Sequence, residues 1–357
     1  MRKYYIDNLR WICILMLFIY HTFMIYNSFG ENFYIKGDEI QITTNIMLVI
    51  WPWYMPLLFV ISGISSAYAL KRKTIFQYSK ERFFKILIPL VSGLIFLIPI
   101  QTFYAEKFHN GYTDGFFRQY ILFFSKVTDF TGYDGGFTPA HLWFLAYLFV
   151  ISFIALPIMY FYNKAKNKIN FDKLPVFALI TFFIFPLLGI FVLNISGKSL
   201  GEYFAFFLLG FFILSDEKII EKIEKNRRYF LILSIISLIP IILWWNGFLG
   251  KLPDIAIGIF PRFYAWVSIL YLMGMGKHYL NFKNKITEYL STASFPVYVF
   301  HQTWLIAIAY YVFLFTGNII LQMMFILVLS VLTTFATYEL SKRFFVTRFL
   351  FGIKKPK

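Results

Sequence analysis

Two histidines stand in stretches otherwise built almost wholly from Phe, Leu, Ile, Val and Tyr: His21 in LMLFIYH and His301 in FPVYVFHQ. An imidazole in such surroundings is a functional candidate, because a polar group at bilayer depth is costly until something satisfies it. It can take a proton from an attacking hydroxyl as a general base, or accept an acyl group itself. It can also simply hydrogen-bond a neighbouring helix. Arg10 precedes His21 by eleven steps, and at ~100° per step this comes to only ~20° past three full turns. On a helix, one face would then carry a cation and, ~16 Å further along, an imidazole. That face suits an elongated anionic ligand whose charged head is held at the mouth while its reactive end reaches the ring. Coenzyme A thioesters have this shape, with phosphates at one end and the acyl group at the tip of a thin arm.

A second set of cations fits the same ligand. Lys71-Arg72-Lys73 is followed by Arg82 and Lys85, and residues three apart share a helix face, so Arg82 and Lys85 can clamp one phosphate. Any inner loop of a membrane protein carries such charges, so the ordinary explanation stands beside this one. Asp7 lies one turn before Arg10 and is expected to pair with it. The histidines lack metal-ligand spacing, and no metal is expected. Cys13 is the single cysteine, which excludes an internal disulfide and a thiolate-based metal site.

The elements that must position these residues follow from composition. Of 357 residues, 59% are hydrophobic and 15% charged, against roughly 45–50% and about 25% in soluble domains. A net charge of +16 would suggest nucleic acid in a soluble protein. Here it reads as membrane topology, because Lys and Arg collect on the cytoplasmic side. About 20 helical residues cross a ~30 Å hydrocarbon core. Apolar stretches near that length run over 10–29, 45–70, 84–104, 141–162, 174–194, 200–215, 229–246, 256–275, 291–315 and 319–341. The expected fold is therefore all-α and polytopic, with about ten transmembrane helices and both termini in the cytoplasm. Under that count 27 of the 34 Lys and Arg fall on the N-terminal side, an alternation that a wrong span number would scramble. The first span is expected to be retained rather than cleaved. Residues 1–345 form one integral-membrane domain and 346–357 a basic cytoplasmic tail. His21 and His301 are each about eleven residues from the inner end of their spans and should lie at similar depth.

On the outer side the one sizeable loop is 105–140, with Gly132, Gly135, Gly136 and Pro139 marking turns; it reads as a lid or rim. His141 follows it at the outer end of the fourth span, and Trp143 is placed to stack on a sugar ring. Interfacial aromatic belts place Trp there without any ligand. Glu202 and Arg262, near outer span ends, are candidates to line an acceptor cleft. Pro52 and Pro56 in the second span free backbone carbonyls, and a kink is expected there.

With its spans in this order, the chain resembles the acyltransferase-3 family of bacterial membrane enzymes. IDNLRWICILMLFIYH carries an R-x10-H pattern ending at His21. FVISGISSAYALKRK is like the end of that family's second span, and KERFFKILIP like an R-x-x-R element before the third. Lys85 stands where the second arginine would be, keeping the charge but losing the bidentate fork. HLWFL, from His141, and FPVYVFHQ are similar to segments in the branch that includes glucan succinyltransferases.

The resemblance implies an O-acyltransferase of the bacterial cytoplasmic membrane. It would move an acetyl or succinyl group from cytoplasmic acyl-CoA to a hydroxyl of a cell-surface glycan or related acceptor. His21 would be the general base, or the acyl carrier of a two-step route, with His301 orienting it or binding the acceptor. Arg10, Arg72, Arg82 and Lys85 would hold the coenzyme, and His141, Trp143, Glu202 and Arg262 the acceptor. The chain reaches Lys357 soon after its tenth span, so the extracytoplasmic hydrolase-like domain fused to some relatives is not expected. Two rivals differ in their tests: a transporter or flippase of lipid-linked glycans would transfer no acyl label, and a non-catalytic scaffold would not respond to acyl-CoA.

Overall fold

The computed structural model describes residues 3–30, 32–165, 174–250 and 252–355, the side chain of Asp254 excepted. Arg2, Lys166, Lys168, Lys173, Lys251 and Lys357, counted above for topology, lie outside the described residues. In chain order α1 (Tyr4–Met24), α2 (Gln41–Leu70) and α3 (Ile75–Arg82) lead through a π-helical turn (Phe83–Leu87) into α4 (Ile88–Phe96). Next come α5 (Ile98–Asn110), α6 (Phe116–Ser125), a 3-10 turn (Ala140–Leu142), α7 (Trp143–Lys164), α8 (Val176–Thr181) and α9 (Ile184–Gly189). After a two-residue hairpin, β1 (Asn194–Ile195) with β2 (Lys198–Ser199), the chain is again helical. The last elements are α10 (Leu200–Phe212), α11 (Glu217–Lys225), α12 (Arg227–Trp245), α13 (Asp254–Tyr279), α14 (Lys285–Phe315), α15 (Ile319–Ser341) and α16 (Phe345–Leu350).

The fold is all-α and polytopic, with eight helical stretches among the described residues long and apolar enough to cross a membrane. The expected fifth and sixth spans correspond to shorter apolar stretches, Val176–Gly189 and Leu200–Phe212. At ~1.5 Å per residue each reaches only ~20 Å, short of the hydrocarbon thickness. The fifth is also broken at Phe182 and Phe183, where Pro186 has no N–H to offer the Phe182 carbonyl. The first span begins at Tyr4 rather than residue 10 and ends at Met24, where the Asn27 side chain bonds the Met24 carbonyl at 2.6 Å. His21 therefore lies in the last turn of α1, not midway along it. α2 remains helical through Pro52 and Pro56.

The chain divides into two compact units. One spans 1–13, 48–81 and 147–287. Within it α2 and α10 touch backbone to backbone: a Cβ on Gly63 would lie 2.0 Å from the Phe207 carbonyl oxygen, and one on Gly210 2.2 Å from that of Val60. Small residues at a helix crossing permit this approach where packing, not the hydrophobic effect, drives association. α11 is amphipathic, turning Ile219, Ile220 and Ile223 inward. The Asp216 carboxylate caps it, accepting from the Lys218 amide at 2.8 Å.

The other unit spans 14–47, 82–146 and 288–357. Here Trp304 on α14 donates to Thr337 on α15 at 2.8 Å, and the Tyr26 hydroxyl donates to Gln322 at 3.1 Å. Residues 346–353, read from sequence as the start of a tail, continue into α16 and the turn after it. They bury Phe351 and Ile353, and Gly352 packs on Phe295 and Pro89.

Candidate active site

His21, His141 and His301 all belong to the second unit, and it brings them into contact. The His301 ring is fully buried, 5.2 Å from His21 and 5.0 Å from His141 between centroids. The contact fits the equal depth expected for His21 and His301. The His301 Nδ1 lies 2.6 Å from the Tyr298 carbonyl oxygen. A carbonyl only accepts, so Nδ1 carries a hydrogen and Nε2 is the ring's remaining acid–base atom. That Nε2 is buried and, among the described residues, has no hydrogen-bond partner. The same holds for Nδ1 of His21. His21 nonetheless keeps accessible surface, and its ring stacks on Phe33 at 6.0 Å and 10°.

His141 is held more tightly. Its Nε2–H donates to the Val299 carbonyl at 3.0 Å, and its own carbonyl accepts the Tyr298 hydroxyl at 2.5 Å. With Nε2 donating, Nδ1 accepts from the Gln101 amide at 3.4 Å. Gln101 also donates to Thr303 at 2.8 Å and accepts from Gln302 at 3.2 Å. The turn that presents His141 is strained: Ala140 has φ of 44°, and Thr138 ties its amide down at 2.9 Å. A non-glycine residue there costs about 1–3 kcal/mol and persists only where the surroundings over-determine it.

Gln101, Gln302, Thr303 and Tyr298 were not singled out from the sequence. The signal existed in IPIQTF and FHQTW, where an amide interrupts an apolar run. Amides and hydroxyls inside spans bind helices together, and they deserve the same attention as histidines.

The cations divide between the units. Arg10, in the first, donates to Asp7 and to Ser65, both at 3.1 Å. The pairing with Asp7 matches expectation, and Ser65 lies in the segment FVISGISSAYALKRK. Arg72 is exposed just beyond α2, Lys71 lies 5.4 Å over the Tyr68 ring, and Lys73 pairs with Glu81. Arg82, half-buried, ends α3, while Lys85, exposed, falls in the π-helical turn. The pair therefore straddles a change of helical winding, not a regular α-helical i, i+3 face. Such turns recur at functional sites.

Trp143, half-buried, opens α7. Glu202 and Arg262 belong to the first unit and bind each other, Nε to Oε1 at 3.2 Å and Nη2 to Oε2 at 3.0 Å. This fork is the strong geometry for a guanidinium and a carboxylate.

Span-length helices and a buried imidazole cluster define an integral membrane protein with acid–base groups inside a helical unit. Residues 3–339 match the family model described as an acyltransferase domain. The chain belongs to the acyltransferase-3 family and is a membrane acyltransferase. No curated protein and no solved structure matches it.

Proposed function

We propose that the protein transfers an acetyl or succinyl group from a coenzyme A thioester on the cytoplasmic side to a hydroxyl of a cell-surface glycan, in the bacterial cytoplasmic membrane. The observation that carries this reading is the contact of His21 with His301. The His21 residue keeps some accessible surface, His301 none, and each ring has a buried nitrogen without a partner among the described residues. An unsatisfied buried polar atom costs about 1–3 kcal/mol, a penalty that a reactive group repays in function. His21, the less enclosed of the two residues, is the general base; His301, fully enclosed, positions it. The acceptor hydroxyl gives its proton to the His21 imidazole as its oxygen attacks the thioester carbon. A C–O bond forms, the C–S bond breaks, and the departing thiolate takes the proton back from the imidazolium. Arg10, Arg72, Arg82 and Lys85 are the cations assigned to the coenzyme's phosphates.

The test uses purified protein in nanodiscs, labelled acetyl-CoA or succinyl-CoA, and a cell-envelope glycan fraction as acceptor. His21→Ala is expected to lose transfer by about a thousandfold, within the ~10²–10⁴ range of general-base effects, while the melting temperature holds. Full turnover in His21→Ala rejects the assignment. Wild-type protein that releases no label from either thioester rejects acyl-CoA as donor and favours glycan translocation.

A further inference from the structure

A pocket of about 450 Å³ opens in the second unit beside the segment after α6, within the ~300–1,000 Å³ span of small-molecule sites. Its wall comes from three separated stretches: Asn32, His109 with Asn110 at the end of α5, and Thr131 with Tyr133 in the loop 126–138.

The loop is built rigidly. Phe137 returns its amide to the Lys126 carbonyl at 2.7 Å, and the Lys126 ammonium bonds the Asp134 carbonyl at 2.8 Å and its carboxylate at 3.1 Å. Thr138 holds the Phe130 carbonyl at 2.6 Å, and Tyr34 holds that of Thr131 at 3.1 Å. Burial opposes charge on Asp134. Lys126 and the Gly136 amide nevertheless hold its carboxyl below the usual range, so the clasp is closed at neutral pH. A binding loop ordered beforehand loses little freedom when its ligand arrives.

The lining selects the ligand. A metal ion needs bare oxygens, whereas Asp134 is engaged by Lys126, Thr128 and Gly136, and Asp129 accepts from the Thr131 amide and hydroxyl at 2.9 and 2.7 Å. The other lining groups are the Asn32 and Asn110 amides, the Thr128 and Thr131 hydroxyls, His109 and one tyrosine ring, fixed edge-on to Tyr34 at 5.1 Å. Asn110 donates to Glu106, and the two hydroxyls donate to Asp134 and Asp129 while keeping lone pairs to accept with. That mixture suits a sugar, whose hydroxyls both donate and accept and whose C–H face lies on an aromatic ring. The pocket also connects to the histidines through one residue. His109 Nε2–H donates to the Phe33 carbonyl at 2.7 Å, and the Phe33 ring stacks on His21.

We propose that this pocket binds a neutral sugar unit of the acceptor glycan, with Tyr133 as its stacking platform and Asn110 as a hydrogen-bonding contact. The inference rests on the acyl-transfer reading for the ligand's role but not for its binding. The experiment measures saturation-transfer NMR of methyl glucoside, methyl galactoside and methyl N-acetylglucosaminide on the full chain in nanodiscs. At least one glycoside gives a signal that falls tenfold or more in both Tyr133→Ala and Asn110→Ala, while His21→Ala keeps it. Tyr133→Phe, which preserves the ring, stays within threefold and controls for folding. In the transfer assay Tyr133→Ala raises the KM for the envelope glycan tenfold or more and leaves that for acetyl-CoA in place. The proposal is overturned if no glycoside binds, if neither alanine variant weakens binding, or if calcium binds this pocket and sugars do not. Glycoside binding of the expected pattern, with acetyl-CoA and succinyl-CoA both untouched by wild-type protein, leaves the pocket standing and removes the proposed donor.

Discussion

The two units place polar side chains within apolar helices and treat them differently. In the first, Glu202 and Arg262 form a two-bond fork, Ser234 meets Ser268 at 2.7 Å, and the Asn8 amide bonds two carbonyls, those of Leu280 and Phe282. In the second, a chain runs from Gln302 through Gln101 to His141 and Thr303. It stops short of completion: Gln302 Oε1, His301 Nε2 and His21 Nδ1 are buried and, among the described residues, have no hydrogen-bond partner. Paired groups of the first kind hold helices in register. A network with open ends is rare in a folded interior, and each open atom calls for a water, an ion or a reactant to complete it. The difference is what supports the proposed chemistry in the second unit, while the Glu202–Arg262 pair, assigned from sequence to an acceptor cleft, is bonded within the first.

His301→Asn breaks that contrast most severely after His21→Ala. Asparagine keeps a donor near the Nδ1 position for the Tyr298 carbonyl but removes the Nε2 atom. Transfer should fall about a hundredfold in kcat with little change in KM, and the pH–rate profile should lose the contribution of the second imidazole. A purely structural His301 predicts the reverse: near-normal kcat in the asparagine variant and an unaltered profile. Gln101→Leu acts on the network instead. It strips partners from His141 Nδ1, Thr303 and Gln302 together, and should cost about 1–3 kcal/mol in denaturant unfolding with roughly tenfold lower kcat. If stability drops and kcat does not, the amide serves packing alone.

How these residues appear in the sequence explains which were legible there. Apolar length and the distribution of Lys and Arg give the helical membrane class directly, because lipid leaves a spanning backbone few alternatives. His21 and His301 are conspicuous because imidazole is costly in such surroundings. Gln101 is less so, since an amide near the end of a long apolar stretch resembles ordinary helix–helix glue until its partners are known. The break in the fifth helix was hidden for another reason. Composition sets where apolar residues lie, but Pro186 and the turn at Phe182 decide whether they form one helix. The Glu202–Arg262 fork joins residues sixty positions apart, a relation that spacing does not reveal.

That fork is the test from the opposite side. Arg262→Met leaves a carboxylate without its partner and should cost about 1–2 kcal/mol, between the small worth of exposed pairs and the larger cost of breaking buried ones. The double variant Arg262→Met with Glu202→Met should recover part of the loss, and its transfer rate should stay within about threefold of wild type. A tenfold rise in acceptor KM in the double variant would move the pair into the acceptor cleft and erase the contrast between the units.

The smallest expected effect is at Ala140, where the backbone itself carries the strain. Its φ of 44° lies in the left-handed region, and the turn hands directly to His141. Glycine there relieves about 1–3 kcal/mol of strain but returns about 0.5–1 kcal/mol of chain entropy to the unfolded state. Ala140→Gly should therefore be neutral or slightly stabilising, with a melting temperature no lower than wild type. The lost restraint should appear in the chemistry, as a two- to threefold fall in kcat, because His141 is then held only by its bonds to Val299, Tyr298 and Gln101. Ala140→Val separates the two contributions. A β-branched side chain is disfavoured at positive φ, so this variant should lose stability while the remaining folded enzyme keeps its kcat. If glycine lowers the melting temperature by more than valine does, the Ala140 side chain itself is holding the turn, and backbone strain is not what positions His141.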